Sequence, residues 1–214
     1  MDEYQKEQQQ NIIDALTEAQ KGNVEHFSQL QEQQLNIHDR WDSAACARGL
    51  KLSEPERLIV QYSCGMTRSV RSERPIPKWG SGIFYYEVTI LVKEGSIHIG
   101  LATRETPLTT CIGYCKATPS YGYSSKSGTF RAFDLLFGGR PVIEGGTPTF
   151  GKGDVIGCGV NLATRQLIFT KNGRRLETAD LFVDSAAELF PSVSLRIEGD
   201  EIEANFGPNF EYKI

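Results

Sequence analysis

The chain has 214 residues, 39% of them apolar, with a formal net charge of −4 and a pI near 5.5. That length suits one large all-β domain plus an appendage, and the acidic balance argues against a protein that grips a phosphate backbone. No apolar run approaches the ~18 residues of a membrane-spanning helix, and the polar stretch Asp2–Gln10 shows no secretory signal at Met1.

Residues 1–35 differ from everything that follows. They are Gln-rich and lack Pro, with Ile12, Ile13, Leu16 and Ala19 at helical spacing and Val24, Phe27 and Leu30 less regularly so. The pattern predicts two short amphipathic helices, over about 4–20 and 23–35, the first ending at Lys21-Gly22. Each is too short to be stable alone, so docking on the neighbouring domain is expected over a coiled coil.

From residue 36 to 214 the chain alternates as strands do. Leu58, Val60 and Tyr62 come first. Then Phe84, Tyr86, Val88, Ile90 and Val92 share one face, with Tyr85, Glu87 and Thr89 on the other. Ile97, Ile99 and Leu101 follow, which puts His98 on the opposite face. Ile156, Cys158, Val160 and Leu162 share a face opposite Gly157 and Gly159. Leu167 and Phe169 lead into Lys171-Asn172-Gly173-Arg174, where Asn-Gly favours a type I′ hairpin turn. Val193, Leu195 and Ile197, then Ile202, Ala204 and Phe206, form a last pair. Strands at this spacing, with no helical pattern between them, mean an antiparallel sandwich or barrel.

The five cysteines are Cys46, Cys64, Cys111, Cys115 and Cys158. Their odd number and irregular spacing do not make a disulfide framework. Cys111 and Cys115 lack a second Cys/His pair at ligand spacing, so no metal is expected, and no cofactor. Glu201 and Glu203 share a strand face, but Ile202 stands between them and a solvated face explains them better than a glycosidase pair. No Cys/His or Ser/His/Asp arrangement emerges from His26, His38 and His98, so the chain is not expected to be an enzyme.

Gly151-Lys-Gly-Asp154-Val-Ile-Gly157 together with Ile168-Phe-Thr-Lys171-Asn172-Gly173 resembles the signature of SPRY domains. Leu189-Phe190-Pro191 and Ala204-Asn205-Phe206-Gly207 resemble that family's last strands. The likeness covers about 36–214. It is near to SPRY domains of the Ran-binding-protein-M type and nearer still, through Arg40-Trp41-Asp42-Ser43-Ala44-Ala45-Cys46, Leu52-Ser-Glu-Pro-Glu-Arg-Leu58 and Asn161-Leu-Ala-Thr-Arg-Gln166, to the secreted SPRY effectors of plant-parasitic cyst nematodes. It implies a bent antiparallel β-sandwich that recognises a protein through loops at one edge.

The finer implication is a monomeric secreted effector acting on host plant proteins in the host cytoplasm or nucleus, with no nucleic acid or membrane partner. The alternatives are a cytoplasmic adaptor subunit of a Ran-binding-protein-M-like complex and, more weakly, a carbohydrate-binding sandwich. The resemblance places the site on loops 74–79, 119–126 and 196–200, as one surface carrying Arg74, Pro75, Ile76, Trp79, Tyr121, Tyr123, Arg196 and Glu198. Trp, Tyr and Arg are the side chains that concentrate binding energy. Tyr123 is expected to point outward and Tyr121 inward, and the Phe137 loop at 136–140 could add contacts.

Overall fold

The structure is a computed structural model that describes residues 10, 12–13, 16–18, 20–22, 39–133, 141–144, 147–178 and 181–213. It divides into two units, Met1–His38 and Asp39–Ile214. The described residues of the first unit are helical, through Gly22, and their Ile12, Ile13 and Leu16 are solvent-exposed. The helix expected at 23–35 and the 136–140 loop lie outside the described residues.

The second unit is a sandwich of two seven-stranded antiparallel sheets. Sheet A comprises β1 (Trp41–Cys46), β4 (Arg68–Ser72), β13 (Leu189–Leu195), β6 (His98–Thr103), β7 (Ser120–Ser124), β8 (Phe130–Phe133) and β9 (Pro141–Glu144), in that order. Sheet B runs β12 (Arg174–Arg175), β11 (Leu167–Lys171), β10 (Val155–Asn161), β5 (Ile83–Val92), β14 (Glu201–Asn205), β3 (Ile59–Tyr62) and β2 (Leu50–Leu52).

The alternation read from the sequence sets the core. Tyr86, Val88 and Ile90 of β5, Ile156, Cys158 and Val160 of β10, and Phe169 of β11 meet Ile99, Leu101 and Val193 of sheet A, all fully buried. Burial of this apolar surface is the main force holding the sheets together. One polar tie joins the sheets: Tyr86 Oη, on sheet B, reaches the carbonyls of Gly100 (2.6 Å) and Ser192 (3.2 Å) on sheet A. The Asn172-Gly173 turn has positive φ at both residues (50° and 69°), and Lys171 pairs with Arg174 across it, as a type I′ hairpin requires.

The structure departs from two of the expectations. Residues 119–126 are not a loop: Ser120–Ser124 is β7, paired with β6 through Leu101↔Tyr121 and Ile99↔Tyr123. Two residues apart on a strand means one face, so Tyr121 and Tyr123 both point into the core and neither is exposed. Tyr123 packs on Phe130, Phe150 and Phe169, and its hydroxyl donates to the Pro148 carbonyl. Second, Ile197 does not continue the inward row of Val193 and Leu195. The strand ends at Leu195 and Ile197 is 48% exposed in the following turn.

Candidate functional site

The expected surface does not assemble, because its loops lie at opposite ends of sheet A. Ile76 N donates to Leu189 O (2.7 Å), which anchors loop 74–79 at the start of β13. The 196–200 turn follows the last residue of β13. Seven residues separate them, roughly 20 Å at strand rise. Arg74, Pro75 and Trp79 are exposed at the first end, Trp79 by 79%, whereas Ile76 is buried there. Arg165 ties Trp79's loop to its surroundings by donating to Lys78 O (3.4 Å) and Asp184 O (3.3 Å). Arg196 and Glu198 are exposed at the other end.

The 196–200 end has a more developed architecture. Asp200 is fully buried, and its carboxylate accepts four backbone N–H groups. Oδ1 accepts Glu94 and Gly95, each at 2.8 Å, and Oδ2 accepts Arg196 (3.2 Å) and Ile197 (3.1 Å). Gly199, at φ 94°, supplies the left-handed residue of this turn. Tyr62 N donates to Asp200 O (2.9 Å) and Tyr62 Oη donates to Met66 O (2.6 Å), so turn 63–67 lies alongside. It presents Met66, 77% exposed.

Beside these turns, the outer face of sheet A is covered by the β6–β7 loop, residues 104–119. Serines fix it. Ser69 Oγ donates to Thr110 O (3.0 Å), Ser194 Oγ accepts Ile112 N (3.1 Å) and Ser120 Oγ accepts Gly113 N (3.1 Å). Gly122 lets the Ile112 carbonyl approach, since a Cβ there would sit 2.7 Å from it.

The loop lays Tyr114, 42% exposed, edge-on to His98 with ring centroids 5.5 Å apart. The Arg131 guanidinium stacks over the Tyr114 ring, 4.2 Å from its centroid, a cation–π contact. Among the described residues, both ring nitrogens of buried His98 and Nε of Arg131 have no hydrogen-bond partner, and neither does Nε of Arg165 at the 74–79 end. Burial first, then the charges of Arg196 and Arg131, lower the His98 pKa to about 4, so its imidazole is neutral near pH 7. Burial likewise pushes the Cys111 thiol up to about 12, which makes it an unreactive side chain here. Among the described residues neither Arg131 nor Arg196 has an ion-pair partner.

The result is a surface with two guanidinium groups that make no direct ion pair, an exposed aromatic ring and the exposed apolar side chains of Met66 and Ile197. It is suited to holding an extended segment that brings carboxylates and carbonyls. Of its residues, Arg196 was legible in the sequence. Tyr114, Arg131, His98 and Met66 were not, because strands β6, β7 and β8 and two loops must pair before they meet. The Gly113-Tyr114 pair inside a polar loop was the one available signal.

This is the architecture of a protein-interaction domain, and the family model of the SPRY domain matches residues 83–209. The chain belongs to the SPRY family. It is similar to Ran-binding protein 9 of Xenopus tropicalis, 43% identical over 141 residues, which are 65% of this chain and 24% of that protein. The human Ran-binding protein 9 is 40% identical over 141 residues, 65% of this chain and 18% of the relative. The chain thus spans about a quarter or less of the length of these curated relatives. Among solved structures, a human SPRY domain aligns with a TM-score of 0.56 at 20% identity, covering 76% of this chain and 98% of its own. The SPRY domain of human HERC1 aligns with a TM-score of 0.56 at 18% identity, covering 77% and 96%. These two share the fold.

Proposed function

We propose that the chain is a non-catalytic, monomeric recognition module that serves as a cytoplasmic adaptor subunit in a complex of the Ran-binding-protein 9/10 type. The Ran-binding relatives support this reading over the secreted effector of host plant proteins, and SPRY membership supports it over a carbohydrate-binding sandwich. The partner segment docks on the outer face of sheet A beside the 196–200 turn. One observation carries that location: Tyr114 stands 42% exposed with the Arg131 guanidinium stacked over its ring, an aromatic–cation pair open to a partner. An extended acidic segment fits best, with carboxylates for Arg131 and Arg196 and an apolar side chain for Tyr114 and Ile197.

Ran, after which those relatives are named, is the first protein to titrate. The test of the site uses a random-peptide phage library selected on the purified chain. Acidic extended sequences are expected. Calorimetric affinity for a selected peptide should fall at least tenfold, about 1.4 kcal/mol, in Tyr114→Ala and in Arg131→Ala, and stay unchanged in Trp79→Ala at the opposite end. Loss in Trp79→Ala alone would move the site to loop 74–79 and defeat the proposal. Capture from animal and from plant extracts, with Tyr114→Ala as the control bait, separates the adaptor from the effector reading, since recovery of plant proteins alone supports the effector.

A further inference from the structure

The outer face of sheet B carries a second arrangement, unrelated to the site on sheet A. Tyr85 and Glu87, on the outward side of β5, are nonetheless buried, at 4% and 3% exposure. What covers them is the segment after β14. Glu87 Oε2 accepts the N–H of Glu211 and Oε1 accepts that of Tyr212, both at 2.9 Å. Oε1 also accepts Tyr85 Oη–H at 3.0 Å, and Thr170 Oγ1 bonds Tyr85 Oη at 2.6 Å. Among the described residues no cation pairs with Glu87. A carboxylate taken from water without a cation is costly unless its lone pairs are filled, so the two amides of the segment replace its solvent.

The aromatic side chains of the segment hold the same place. Phe210 meets Tyr85 edge-on at 5.0 Å, and Tyr212 lies tilted against it at 5.6 Å. One tyrosine ring is therefore gripped by two aromatic residues that flank a single residue. Gly157 leaves the floor open beside Tyr85, since a Cβ there would overlap the Tyr85 hydroxyl and Thr170 Oγ1. The segment itself belongs to no strand, and Pro208, Asn209, Glu211 and Lys213 are exposed.

We propose that this cleft is a peptide-binding site in which Phe210-Glu-Tyr212 is the resident ligand, a latch that opens locally and yields its place to an extended aromatic–X–aromatic segment of a partner. The cleft reads two features of such a segment: two successive amide N–H groups, by Glu87, and two aromatic side chains two residues apart, by Tyr85. In the closed state the attached segment competes with any partner at high effective concentration, so the cleft is masked until the latch opens.

The probe is a fluorescent peptide copying residues 206–213, titrated against the full chain. The variant Phe210→Ala/Tyr212→Ala removes the resident anchors and leaves the cleft intact. It should bind the peptide at least about tenfold more tightly than wild type, and adding Glu87→Ala should abolish that gain. Equal affinity in wild type and the double variant, or binding that survives Glu87→Ala, would overturn the proposal. A measurement on the wild type guards against a variant that fails to fold. The amides of Glu211 and Tyr212 should exchange hydrogen by local opening, at least about a hundredfold faster than that of Val88 in β5. Protection equal to Val88 would mean that the segment leaves only when the whole domain unfolds, and there would be no latch.

Discussion

Replacing Asp200 by Asn keeps the shape of the side chain and removes its capacity to accept four hydrogen bonds. In the wild type both oxygens are filled, Oδ1 by Glu94 and Gly95 and Oδ2 by Arg196 and Ile197. The amide oxygen of Asn can keep the shorter pair at 2.8 Å. Its NH₂ then faces the N–H groups of Arg196 and Ile197, donor against donor, in a place with no exposure to water. Two hydrogen bonds to a charged group are lost, at about 1.5 kcal/mol each for this longer pair, so Asp200→Asn should destabilise the domain by about 3 kcal/mol. For a domain of this size that lowers the melting temperature by roughly 6–12 °C. Urea unfolding followed by circular dichroism measures the loss. Hydrogen exchange should locate it, with faster exchange at Arg196 and Ile197 and little change at Glu94 and Gly95. Stability within about 0.5 kcal/mol of wild type would refute the reasoning, because surface substitutions without a structural role fall in that range. The same variant should weaken peptide binding on sheet A, since Asp200 holds the turn that presents Arg196.

Two further outcomes are expected. Gly157→Val puts a branched side chain into the volume of Tyr85 Oη and Thr170 Oγ1, and overpacking of this kind costs about 1–3 kcal/mol or more; an unchanged melting temperature would show that the outer face of sheet B is not packed. The pH dependence of stability should carry two opposed contributions. Unfolded His98 takes up a proton below pH 6.5, while the folded imidazole stays neutral to about pH 4, so its contribution is intact above pH 6.5 and is lost as pH falls toward 4, by at most about 3 kcal/mol. Burial raises Asp39 to about 6, so the folded carboxyl keeps a proton that the unfolded one releases near pH 3.8, and its contribution is lost as pH rises toward 6. Unfolding free energies from pH 4 to 7 should therefore rise less steeply with pH in His98→Phe than in wild type and more steeply in Asp39→Asn; identical slopes would remove His98 from the account.

What the sequence determined by itself was local. Period-2 alternation assigned Tyr86, Val88 and Ile90 to the core and His98 to the opposite face, and Asn172-Gly173 specified its turn, because strand faces and turn dihedrals depend on neighbouring residues. Alternation within Ser120–Ser124 also held the answer for Tyr123, which the SPRY likeness led away from. Strand order and register were decided by the tertiary structure. They put loops 74–79 and 196–200 at opposite ends of β13, and no local pattern encodes which end of a strand another loop reaches. His98, Tyr114 and Arg131 meet only through the pairing of β6, β7 and β8 and the serine-fixed loop above them. Glu87 looked like an ordinary outward residue of a half-buried strand. It became a buried carboxylate because a segment 124 residues further along the chain brought the amide that fills its lone pairs.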